Sequence, residues 1–195
     1  MAIGPLTNIA MALMLDPSLP QRINKIVIMG GSYISIGNLK SNIEFNFACD
    51  PIAAKKVFDS FHLEHNEVIL YPWETCTEYL LQKKHLELIE KFESNTKIFV
   101  EKIIEKKYFL NKEKYGVFAD FGTAVYITDK NSLKKSTKKF IDISIDSNDC
   151  NFGQICIENF IKINQNEINK RKKVEIITNL DEEIYYDCFI RMAEI

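Results

Sequence analysis

The stretch from Gly30 to Asp50 constrains this chain more than any other, because it is a long polar loop between two elements of a layered α/β fold. Behind it, Ile26-Val27-Ile28-Met29 is an apolar run of strand length. Ahead of it, Asp50-Pro51-Ile52-Ala53-Ala54 opens a helix, with Asp50 as the cap and Pro51 at the first helical position. Glu67-Val68-Ile69-Leu70-Tyr71 reads as the next strand, which completes a strand-helix-strand unit. Parallel strands joined in this way form open sheets that bind ligands beyond their carboxyl ends, where this loop falls. The loop offers the carboxylate of Glu44 and the amides of Asn38 and Asn46, acceptors and donors suited to a polyhydroxylated ligand. Taken singly, such residues are ordinary turn formers and helix caps.

The ordered string says more than its members. Val27-Ile28-Met29-Gly30-Gly31, then Gly37-Asn38, Glu44-Phe45-Asn46, Asp50-Pro51 and Ala53-Ala54, resembles the central signature of the nucleoside hydrolases, the inosine/uridine-preferring family. Ala2-Ile3-Gly4-Pro5-Leu6-Thr7-Asn8-Ile9-Ala10 is similar to the segment that precedes it in that family. The resemblance implies an α/β fold: an open, mostly parallel, doubly wound sheet with flanking helices and a small C-terminal antiparallel element. It also implies hydrolysis of the N-glycosidic bond of ribonucleosides, by a water that a calcium ion activates. Carried over by position, the backbone carbonyl of Thr7 and the carboxylate of Asp120 would bind Ca2+. Met29, Asn38, Glu44 and Asn46 would hold the ribose, and Glu44 would also stabilise positive charge developing on the sugar.

Two departures stand out. The family's aspartate-rich loop, an Asp-x-Asp followed by two adjacent aspartates, supplies most calcium carboxylates and the general base, and this chain has no such string. Residues 1–195 are therefore expected to be a partial domain, the C-terminal portion, lacking the first strands and inactive by itself. The alternative is a non-enzymatic nucleoside-binding, ribose-binding or interaction protein of the same descent. Secondly, Ala119 stands before Asp120, where the family often has a histidine or an aromatic residue serving the leaving base. Trp73, Glu74 or a tyrosine from the helical region after it would have to assist departure.

Elsewhere the chain reads in simpler terms. Thr7 to Asp16 is an apolar helix, expected to be buried on several sides and capped by the Thr7 hydroxyl. Glu74 is expected to cap a helix starting near Thr75, and Glu78 to Phe109 to be one long helical stretch with breaks near Lys83 and Ser94. Asp120 is expected to cap a helix from Phe121 to Ile127, and Asn179 the closing helix. Alternation in Phe140–Ile145, Gln154–Ile157 and Val174–Thr178 suggests an antiparallel sheet with one wet face. The turn from Asp146 to Asn151 lacks EF-hand ligand spacing.

A net charge of −2 gives no electrostatic footprint for nucleic acid. The lysines at 134, 135, 138 and 139 and the run Lys170-Arg171-Lys172-Lys173 read as solvated loops or strand edges. Five cysteines form no metal-type pair and would leave an odd thiol if bridged, which favours a reducing compartment such as the cytoplasm. No apolar stretch approaches the ~20 residues of a membrane span. The expected partner is thus a ribonucleoside, with neither nucleic acid nor membrane, and a homo-oligomer stays open.

Overall fold

The computed structural model describes residues 1–61, 65–104, 115–146, 150–157 and 172–195, without the side chains of Lys83, Ile104 and Tyr115. The expected helix beyond Ile104, the start of the run at Lys170 and the middle of the turn after Asp146 lie outside the described residues. Along these residues run strands β1 (Lys25–Met29), β2 (Glu67–Tyr71), β3 (Leu80–Gln82), β4 (Tyr115–Val117), β5 (Leu133–Lys139), β6 (Ile141–Ile143), β7 (Ile155–Ile157) and β8 (Val174–Leu180). The helices are α1 (Thr7–Leu15), α2 (Phe45–Cys49), α3 (Pro51–Ser60), α4 (Trp73–Cys76), α5 (Lys83–Glu87), α6 (Asn95–Ile104), α7 (Ala119–Thr128) and α8 (Glu182–Glu194). The chain divides into two compact units: Met1–Thr75 with Lys135–Thr178, and Cys76–Lys134 with Asn179–Ile195.

The first unit is built on a four-stranded sheet in the order β1-β2-β8-β5. β1 and β2 run parallel from Lys25 opposite Glu67 to Met29 opposite Tyr71, and β2 and β8 are also parallel. Ile26, Ile28, Val68, Leu70, Val174 and Ile176 share one core with Ala10, Leu13, Ala53, Ala54 and Val57 of the flanking helices. Val27, Met29, Ile69 and Tyr71 alternate with them and are buried as well, so the sheet is covered on both faces, as parallel sheets are. Asp50 caps α3 as expected, its Oδ1 accepting from the Ala53 amide at 3.0 Å, with Pro51 in the first turn.

Several expectations are corrected here. β8 does not join an antiparallel C-terminal sheet: it pairs in parallel with β2. Its alternation is broken by the adjacent buried pair Ile176-Ile177, the mark of a strand covered on both sides. β6 and β7 do form the small antiparallel element, and Ile141, Ile143 and Ile155 join the main core. Helix α1 buries only one face, through Ala10 and Leu13, while Met11, Met14 and Leu15 are exposed. Its cap position falls on Leu6, and the Thr7 hydroxyl donates to Asp50 Oδ2 at 2.6 Å instead of to its own helix. At the sheet edge, β5 carries Lys134, Lys135, Lys138 and Lys139, charges that discourage edge-to-edge pairing with another chain.

In the second unit the stretch from Glu78 is not one helix. Leu80–Gln82 forms β3, antiparallel to β4, and helix resumes in α5 and α6. Leu81, Ile89, Val100, Phe189 and Ala193 make its core. Tyr79 fastens the entry to α8: its hydroxyl donates to the Leu180 carbonyl at 2.7 Å, accepts from the Leu180 amide, and its ring stacks on Tyr185 at 4.6 Å. Burial pushes this hydroxyl up to about 12. The cap of α8 is Asp181, not Asn179, with the carboxylate accepting from the Ile184 amide. Asp120 is not a cap either, because α7 begins one residue earlier, at Ala119. No helix among the described residues is long and apolar enough to cross a membrane.

Candidate functional site

Beyond the carboxyl ends of β1 and β2, two buried carboxylates, Glu44 and Glu74, hold the polar loop that follows β1. Glu44 follows the Gly30–Ile43 loop and is 2% exposed. Such a burial is tolerable only when the charge is richly hydrogen-bonded. Its Oε2 accepts from the Gly31 amide at 2.8 Å and the Phe47 amide at 3.2 Å, and its Oε1 from the Asn46 amide at 2.8 Å. Glu44 thereby caps α2 and ties the far end of the loop back to its start. Gly31 must be glycine for this closure: its φ is +70°, and a Cβ there would lie 2.4 Å from Ile155 Cδ1 and 2.9 Å from the Phe47 ring.

Asn46 is buried beside it, with Nδ2 donating to the Met29 carbonyl at 3.2 Å and lying 3.2 Å from Met29 Sδ. Met29, Glu44 and Asn46 are thus one connected cluster at the end of β1. Asn38 is exposed, and its side-chain oxygen accepts from the Phe45 amide at 2.8 Å, which sets it over the start of α2. Thr7, tied to Asp50, links the first turn of α1 to that of α3. The structure therefore gathers Met29, Asn38, Glu44 and Asn46 around one loop. Asp120 belongs to the second unit, exposed in the first turn of α7.

Glu74 plays a part that the sequence did not reveal. It lies within α4 instead of capping a helix at Thr75, and its Oε1 accepts from the Ser32 hydroxyl at 2.7 Å and the Ile34 amide at 2.8 Å. The residues after β1 are thus held from two sides, by Glu44 at Gly31 and by Glu74 at Ser32 and Ile34. Burial, then the Glu74 charge, push the Tyr33 hydroxyl above its ordinary range. Nothing local in the sequence singles out Ser32, because its partner lies in α4 and no spacing connects them.

Calcium needs six to eight oxygen ligands. Thr7 and Asp120 offer one carbonyl and one carboxylate, and the described residues hold no group of three or more histidine, cysteine or acidic side chains arranged for a metal. The described donor set does not fit the ion.

An α/β chain with a parallel sheet, flanking helices and a polar cluster at the strand ends is the class of molecule that fold and site define. The model of the inosine-uridine preferring nucleoside hydrolases matches residues 1–187. The chain belongs to that family. It is similar to a solved inosine-guanosine nucleoside hydrolase, with a TM-score of 0.85 and 25% identity over 99% of this chain and 60% of that one. An uncharacterised protein of Schizosaccharomyces pombe is 27% identical over 99% of this chain and 57% of its own length. A non-specific ribonucleoside hydrolase of Klebsiella pneumoniae is 56% identical over 59 residues, 30% of this chain and 19% of that protein. The chain thus spans between half and two thirds of the relatives it matches end to end.

Proposed function

We propose that the protein serves in the hydrolysis of ribonucleosides to base and ribose, and that the loop between β1 and α2 holds the ribose. The observation that carries this is the cluster of Met29, Glu44 and Asn46 at the carboxyl end of β1, with Asn38 over the next helix. Family membership supports the reaction class, and the named activity of the relatives supports ribonucleosides as substrates. In this reading the amides of Asn38 and Asn46 engage the sugar hydroxyls. The carboxylate of Glu44, fixed by backbone amides, sets negative charge near a sugar that becomes cationic as the glycosidic bond breaks.

The calcium that the resemblance implies would supply a template for the sugar hydroxyls and an activated water. The described donor set alone does not build that site. This favours a companion reading, in which residues 1–195 by themselves bind the sugar without cleaving the bond. Purified chain incubated with inosine in millimolar calcium is expected to release no ribose in a reducing-sugar assay. Ribose release would refute the companion reading, and Glu44 and Asp120 would then be the first carboxylates to replace.

A further inference from the structure

The outer arm of the sugar loop is held by a bridge from a remote part of the first unit. Asn42 Nδ2 donates to Asn151 Oδ1 at 2.6 Å and to Gln154 Oε1 at 2.8 Å. Gln154 Nε2 in turn donates to the Ser35 hydroxyl at 3.0 Å. Asn151 and Gln154 stand at the entry to β7, so one amide side chain of the β6–β7 hairpin grips the loop at two places, Ser35 and Asn42. Between those places lies Asn38.

Two features accompany this bridge. Ser35 is the non-glycine residue with positive φ among the described residues, at +64°, a conformation that few L-residues adopt. The Gln154 amide holds the hydroxyl of this residue. The hairpin itself is firmly seated: the Ser144 amide donates to the Gln154 carbonyl at 2.9 Å, and Ile155 packs into the main core. Gln154 therefore transmits the position of the core to the exposed arm of the loop.

We infer that Asn42, Asn151 and Gln154 are positioning residues for sugar binding, acting through the loop that carries Asn38. This rests on the reading of that loop as the ribose site. They touch no sugar themselves. Their effect is to hold the arm in its binding shape before the ligand arrives, so that ordering the loop does not cost affinity.

The test uses the 195-residue chain with inosine as the probe, followed by titration in NMR. Asn42→Ala and Gln154→Ala are each expected to weaken inosine binding by about ten-fold, the loss of one to two ordinary hydrogen bonds. Amide exchange should rise in residues 33–43 and stay unchanged in β1 and β2. Adding Ser35→Gly to Gln154→Ala should recover part of the affinity, because glycine holds a positive φ without a constraint. A purely structural role for Gln154 in the hairpin predicts no such recovery. If wild type binds inosine and both alanine variants bind it equally well, the positioning role is overturned while the ribose site stands. If wild type binds no inosine, the ribose site falls and this inference falls with it.

Discussion

Glu44→Ala is expected to lower the stability of the chain by roughly 3–5 kcal/mol, because it leaves the amides of Gly31, Asn46 and Phe47 without their acceptor. For a chain of this size that is a fall of about 10 °C in the melting midpoint. The reason lies in where those amides are. Gly31, Asn46 and Phe47 are all buried, so water cannot replace the lost carboxylate without opening the core around Phe47. Glu44→Gln keeps one acceptor oxygen and sets an NH2 group against a backbone amide, and should fall between wild type and alanine. Thermal denaturation followed by circular dichroism checks the order. An alanine variant as stable as wild type would show that Glu44 is not what closes the loop.

Gly37→Ala should have the largest effect on the sugar loop itself. A Cβ at this position would lie 2.2 Å from the Lys40 carbonyl and 2.4 Å from both the amide nitrogen and the carbonyl oxygen of Ile43. These are backbone atoms of the same tight turn, in which the Gly37 amide donates to the Ser41 carbonyl and the Asn38 amide to that of Ile43. No side-chain rotation relieves such a clash, so the turn must open and Asn38 moves with it. Sugar affinity is expected to drop on the order of 100-fold, equivalent to about 2–3 kcal/mol of lost preorganisation. The melting midpoint should fall as well, because the clash is with the backbone of Ile43, whose side chain is fully buried. Retention of wild-type affinity in Gly37→Ala would mean that the turn around Asn38 does not contact the ligand.

The part of the fold legible in the sequence is the part with local punctuation. The apolar run ending at Met29, the Asp50-Pro51 start of α3 and the run from Val68 to Tyr71 each carry their signal within a few residues, and each lies where it was expected. β8 was misassigned because Val174-Glu175-Ile176 alternates like an edge strand, and only the adjacent Ile177 shows burial on both faces. Strand β3 is too short to stand out from a helical pattern. Asp120 and Asn179 have the residue type of caps but not the position. The true boundary of α8 is set by Asp181, two residues further on, and α7 starts on Ala119 without a side-chain cap.

The site divides in the same way. Met29, Asn38, Glu44 and Asn46 lie within one string, and the structure brings them together. The residues that hold that string in shape come from elsewhere: Glu74 from α4, Gln154 and Asn151 from the β6–β7 hairpin, and Thr7 from α1. A long-range hydrogen bond leaves no period or spacing in the sequence, so residue type is its only trace. Thr7 shows the limit plainly. Its hydroxyl was expected to close its own helix and instead reaches across to the first turn of α3.

The central claim, that the loop between β1 and α2 is a ribose site, is tested most directly by titrating the isotopically labelled chain with D-ribose and with inosine and mapping the perturbed NMR signals. Perturbations are expected to concentrate at Met29, Gly31, Asn38, Glu44 and Asn46 for both ligands, and to weaken in Gly37→Ala. Perturbations confined to other parts of the chain, or none at saturating ligand, would contradict it.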